Sequence, residues 1–398
     1  MSDAPRPGRV VTIVLQDGEA HRALPELPVE SPWWSDVEPI GAAFPGLAVL
    51  RLLEVTGADA SGAGGHVCYL AERLPAELAP HVEWPTRPWD GELTDDPLRQ
   101  PWAVVGGPAR DLAWASSQLG ALDRATQIRT WNLSAIWRHE TSDGVVWLKC
   151  LPSFASHEPV VLRALTDQPV PRVLAADAHR ELLADMPGVD GYAATAAVQL
   201  GLIDTLVAIQ RSTRARVDEL ERAGVPDRRL PVVLDLAAEV VARRLPDDRD
   251  LAWLLSSAGE RVEAIEACGL PDVLIHGDAH PGNARIGPDV RTPVWFDWGD
   301  ARIGHPLIDV AVTERAAVPL RDALVAHWIE AWRAAVPGCD PATAWQLIQP
   351  IAALGNAVVY QSFLDGIEQS ERCYHRDDVD PCLRHAASLA ARSRLSMS

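Results

Sequence analysis

Three oxygen-bearing side chains stand at spacings suited to phosphate chemistry. Asp278 follows the apolar run Val273-Leu274-Ile275 in the loop His276-Gly277-Asp278, Asn283 comes five residues later, and Asp297 lies fourteen residues beyond that. Between the last two, Ala284-Arg285-Ile286, a turn over residues 287–292 and Val294-Trp295-Phe296 predict a hairpin, whose ends meet in space. Asn283 and Asp297 are therefore expected to face one point. Such a pair of oxygen ligands suits magnesium, which is held by one or two protein groups together with substrate phosphates. Asp278 is placed to accept the proton of an incoming hydroxyl, and phosphoryl transfer needs little else from a protein. A zinc hydrolase built on His276, Asp278 and His280 is a weaker reading, because no further His/Cys cluster supplies the remaining ligands. His276 is expected to pack beneath the loop. His280 stands nearer the acceptor, as a substrate contact or a loop filler.

A fourth residue stands out by its rarity. Of 36 basic residues only Lys149 is a lysine. The compact ammonium and the planar guanidinium are not interchangeable at tight sites, so a lone lysine in an arginine-rich chain points to a required point charge.

The elements that must carry these residues can be read from periodicity and turn signals. Extended runs are expected at 10–15, 48–55 and 67–71, then a Pro/Trp/Asp-rich connection over 84–101 and a helix opening at Pro108 and running to about 122. Alternation over 127–137, the Asp143-Gly144 turn and 145–151 predict a second hairpin, with Lys149 on its far strand. Ser156 is expected to cap a helix bearing Glu158, Val161, Leu162 and Leu165. Strands at 172–175 and 181–184 complete a small sheet. Long helices are then expected over 193–211, 234–244, 250–267, 315–335 and 341–368, with a charged, solvated face over 209–229. Asp300 and Arg302 are expected to pair with one another.

Composition narrows the class further. The chain has 398 residues, of which 47% are hydrophobic and 23% charged, ordinary globular values that exclude disorder and coiled coil. A net charge of −19 opposes nucleic-acid binding, which demands a basic surface. The excess lies partly in residues 1–118, with 17 acidic against 8 basic side chains. The six cysteines show no metal-ligand spacing and read as reduced thiols. The N-terminus has no signal-peptide pattern, and the apolar run 347–364 is interrupted by Gln349, Asn356 and Gln361. A cytoplasmic protein with no membrane partner is expected, as a monomer or homodimer.

His276-Gly277-Asp278 with Asn283, followed by Asp297-Trp298-Gly299, resembles the catalytic and metal loops of the aminoglycoside phosphotransferase family, small-molecule kinases sharing the protein-kinase-like fold. The run Ile303 to Ala311 continues the pattern, and the resemblance implies that Asp309 braces the catalytic loop. It also implies that Lys149 pairs with the α- and β-phosphates of the nucleotide and that Glu158 orients Lys149. Leu182 to Gly188 resembles the hinge, so Asp185 and Met186 are implied in adenine binding. The loop from Asn132 to Ala135 is implied to cover the phosphates through backbone amides and the Ser134 hydroxyl, although it contains no glycine. The resemblance covers residues 125–312 by motif and leaves the first 118 outside.

The expected fold is α+β and two-lobed, protein-kinase-like. It comprises an extra N-terminal α+β domain (1–118), a small β-rich N-lobe (119–186) and a mainly helical C-lobe (187–398). The expected activity is transfer of the γ-phosphate of ATP or GTP, with magnesium, to a hydroxyl of a small molecule: an amino sugar, aminoglycoside, sugar or amino alcohol. The acceptor is expected between the Asp278 loop and the helices after Gly188 and after Arg315. A catalytically silent nucleotide-binding regulatory module is the rival class.

Overall fold

The computed structural model describes residues 8–397 apart from 18–19, 60–61, 121–123, 288–292 and 317. Residues 1–7, where no signal peptide is expected, part of the turn after Asp17, and most of the turn expected at 287–292 lie outside the described residues. The chain divides into two compact units, each discontinuous in sequence. One comprises Met1–Ser156, Val173–Asp185 and Phe363–Arg376, the other His157–Arg172, Met186–Ser362 and Asp377–Ser398.

The first unit holds two sheets. In one, Arg9–Asp17 pairs in parallel with Gly65–Arg73 and antiparallel with Ala20–Ala23 and Leu27–Val29, while Leu47–Thr56 forms the outer edge beside Gly65–Arg73. Alternation along Arg9–Asp17 sends Val11, Ile13 and Leu15 to one face. There they pack with Val49, Leu52, Val67, Tyr69 and Ile40 in a core sealed from water. The other sheet is antiparallel, in the order Val173–Ala176, Arg180–Ala184, Gly144–Cys150, Ser134–Thr141, Arg124–Trp131. The expected single extended run over 127–137 is two strands, because Asn132 and Leu133 form a turn that places Trp131 opposite Ser134.

An edge strand needs its outward backbone groups covered. On Leu47–Thr56 side chains do this: the Gln127 amide donates to Val49 O and accepts from Val49 N, both at 2.8 Å. Glu371 accepts the Leu52 N–H at 2.8 Å. Glu371 belongs to the returning segment Phe363–Arg376, whose Tyr374 packs edge-on against Trp34 and Trp131 at 5.5 and 5.4 Å. Residues from three distant parts of the sequence thus share one unit.

The second unit is mainly helical. Its helices include Ala196–Thr213, Leu230–Arg244, Val318–Ala335 and Pro341–Gly366. The helix expected over 250–267 is two, Arg249–Ser256 and Ala258–Glu266, broken at Ser257, whose hydroxyl turns back to Trp253 O. The helix Val379–Met397 was not expected, and the charged stretch after Thr213 forms only the short helix Val217–Arg222. Ser156 caps nothing: its hydroxyl donates to Ser153 O, and Glu158–Ala164 starts after His157 without a side-chain cap. Pro341–Gly366 is long and apolar enough to cross a membrane, yet 67% of its most apolar window is buried within the fold. Val273–Ile275 pairs with Arg302–Gly304, and Ala284–Ile286 with Val294–Trp295, so two short antiparallel strand pairs frame the candidate site.

Candidate active site

The loop after Val273–Ile275 is held from below by one carboxylate. Asp309 accepts the backbone N–H groups of His276 and Gly277, each at 2.8 Å, and the Gln210 amide at 2.8 Å. It is 3% exposed, and burial pushes its acid strength down against the pull of these donors. Gly277 has φ +87°, and a Cβ there would stand 2.2 Å from Asp300 O, so the bend depends on glycine. Arg302 donates to the Asp300 backbone carbonyl at 3.3 Å.

His276 is fully buried, and burial lowers its basicity, so the neutral ring prevails. Its Nδ1 accepts the Asp278 N–H at 3.3 Å, which fixes the proton on Nε2, donated to Phe296 O at 3.0 Å. The ring lies 4.6 Å from the Trp298 ring. Both nitrogens are engaged inside the loop, which leaves neither for zinc. Among the described residues no group of three or more His, Cys, Asp or Glu could hold a metal by itself.

Asn283 and Asp278 are brought together directly. The Asn283 Nδ2 group donates to Asp278 O at 2.9 Å and to Asp278 Oδ2 at 3.2 Å. With its nitrogen occupied, Asn283 presents its oxygen as the remaining polar atom. Phe296 N donates to Asn283 O at 2.9 Å, closing the hairpin one residue before Asp297. Asp297 has φ +64°, a left-handed conformation rare for a residue with a Cβ and typical of strained functional positions. The next residue, Trp298, donates its backbone N–H to Glu158 Oε1 at 2.9 Å. Glu158 is 1% exposed, so it ties the helix Glu158–Ala164 to the segment carrying Asp297.

Lys149 and Ser134 lie in the five-stranded sheet of the first unit. Lys149 is 9% exposed and sits in register directly opposite Glu181, itself fully buried. In an antiparallel pair these side chains share a face. Glu181 was missed in the sequence; the signal was its place on the strand beside that of the sole lysine. Ser134 is buried, and its hydroxyl accepts the Trp131 indole N–H at 3.2 Å. Asp185 Oδ1 accepts the Trp147 indole N–H at 2.7 Å. The two units meet in sequence between Asp185 and Met186. Also missed was Tyr192, whose ring stacks on His280 at 5.4 Å.

No curated protein sequence matches the chain. Choline kinase LicA from Streptococcus pneumoniae is similar in structure, with a TM-score of 0.53 at 12% identity, over 71% of this chain and 99% of that one. An ethanolamine kinase from Plasmodium vivax superposes with a TM-score of 0.50 at 11% identity, over 69% and 84%. A macrolide 2'-phosphotransferase from Brachybacterium faecium is 19% identical over 68% and 97%, with a TM-score of 0.47. The likeness to the two kinases establishes a kinase-like α+β fold. Residues 152–345 match the phosphotransferase enzyme family (APH), the span that carries Glu158, Asp278, Asn283, Asp297 and Asp309. Over that span the chain is similar to the phosphotransferase enzyme family.

Proposed function

We propose that this protein is a small-molecule kinase that transfers the γ-phosphate of ATP or GTP to a hydroxyl group, with Asp278 as the base. One observation carries the reading: Asn283 binds Asp278 through its nitrogen, which leaves an amide oxygen and the carboxylate of Asp297 at the two ends of one hairpin. That donor set fits magnesium, since two hard oxygen ligands suffice where nucleotide phosphates supply others. When bound, the ion offsets negative charge on the phosphates.

The chain's own groups do the rest. Asp278 orients the acceptor hydroxyl and takes its proton as the oxygen attacks phosphorus. Asp309 keeps the Asp278 loop in shape through its backbone donors. Lys149 pairs with the nucleotide phosphates, and Glu158 acts on the hairpin end through Trp298 N–H. Ser134, Asp185 and Met186 complete the proposed nucleotide-binding set. Acceptors of the sugar, amino-sugar, aminoglycoside or amino-alcohol class fit this chemistry.

Manganese in place of magnesium tests the metal assignment by electron paramagnetic resonance, with a non-hydrolysable ATP analogue present. The wild type should bind the ion. Asp297→Asn and Asn283→Leu should weaken binding by about tenfold or more. Equal binding by all three would refute the assignment. Acceptor-dependent ADP release over a panel of sugars, amino sugars and amino alcohols tests the activity. Nucleotide binding without such release would favour a silent module.

A further inference from the structure

Beside the base stands a second layer of side chains that the proposed chemistry does not yet use. His280 Nδ1 accepts the Gly282 N–H at 3.0 Å, which places the ring proton on Nε2. Nε2 lies 3.3 Å from Asp278 Oδ2. The Asn283 amide donates to the same oxygen. Oδ2 thus accepts from Asn283 and has the His280 ring beside it.

Tyr192 covers His280 from outside. The two rings are stacked, with an interplanar angle of 20°. A Cβ on Gly282 would fall 2.3 Å from the Tyr192 ring, so the ring rests on bare backbone that only glycine provides. Its segment is fastened to the catalytic loop: Val189 and Asp190 pair with Ile286 and Arg285, and Gly191 N donates to Pro281 O at 2.9 Å. Despite this anchoring Tyr192 remains 70% exposed. A large, mostly exposed aromatic ring thus stacks on the residue that lies against Asp278, where an acceptor approaching the base would pass.

We propose that Tyr192 is an acceptor-contacting residue that selects ring-shaped polyols of the sugar or amino-sugar class, and that His280, beneath it, is the positioning residue that orients Asp278. The inference rests on the kinase reading above and narrows it. An aromatic face is electron-rich, and the polarised C–H groups on one face of a saturated sugar ring complement it. An ammonium substituent on such a ring adds cation–π attraction. Choline and ethanolamine share the cation–π attraction but lack the ring's C–H face.

The test uses the full chain with magnesium-ATP and five acceptors: glucosamine, maltose, kanamycin, choline and ethanolamine. The wild type should phosphorylate a cyclic acceptor in preference to choline and ethanolamine. Tyr192→Phe should keep that acceptor's KM within about twofold, whereas Tyr192→Leu should raise it about tenfold with the nucleotide KM unchanged. His280→Leu should lower kcat about tenfold or more with both KM values little changed, and His280→Gln, whose amide N–H can replace Nε2–H, should recover most of it. Preference for choline or ethanolamine, an unchanged acceptor KM in Tyr192→Leu, or wild-type kcat in His280→Leu would overturn the inference while leaving the kinase reading intact. A wild type that phosphorylates none of the five while binding the nucleotide would refute both.

Discussion

Asp278 Oδ2 accepts from Asn283 and lies 3.3 Å from His280 Nε2, so its charge and its orientation are separable properties. Asp278→Asn keeps the shape and removes the proton acceptor. Transfer should fall by about a hundredfold or more, while nucleotide affinity by calorimetry stays within about threefold. A second residue-scale prediction concerns Glu371, buried against Leu52 N–H and close to Glu368 and Arg51. Burial raises its pKa to about 8 from an ordinary 4.5. Between those values the unfolded chain binds fewer protons than the folded one, so stability falls as pH rises and levels off above about 8. Glu371→Gln preserves an acceptor for Leu52 N–H and should flatten that decline. Its melting temperature at pH 8 should exceed the wild type's; an unchanged pH profile would show that Glu371 is not the titrating group.

At the scale of elements, the strand-to-loop bend at Gly277 and the hairpin from Asn283 to Asp297 set the site. Gly277→Ala forces a Cβ against Asp300 O at a left-handed φ. It should destabilise the protein by about 2–3 kcal/mol, read as a lower urea midpoint, with loss of turnover. The hairpin was legible because its strands are short, apolar and separated by a turn signal, and because Asp278, Asn283 and Asp297 follow in fixed spacing. Asp309 was legible only through the family resemblance, since a buried carboxylate bracing two backbone amides has no local periodicity. Glu181 and Tyr192 escaped notice because cross-strand register and ring stacking join residues far apart in sequence. The break at Ser257 was hidden for a simpler reason: serine in a helical pattern does not announce whether its hydroxyl will turn back onto the preceding turn.

For the whole molecule, the first 118 residues share one compact unit with the five-stranded sheet and the segment Phe363–Arg376. Gln127 and Glu371 complete the hydrogen bonding of Leu47–Thr56, and Val37 N donates to Ile128 O at 3.1 Å. Removing residues 1–118 should expose Trp131 and Tyr374 together and yield aggregated or molten protein, judged by size-exclusion chromatography and near-ultraviolet circular dichroism. A compact monomeric fragment with native near-ultraviolet signal would contradict this. The kinase account itself is met most directly by phosphorus-31 NMR of the full chain with magnesium-ATP and a hydroxyl acceptor. It predicts a new phosphomonoester resonance growing in step with ADP, absent from Asp278→Asn. Spectra in which ATP persists, or yields only inorganic phosphate whichever acceptor is supplied, would contradict it.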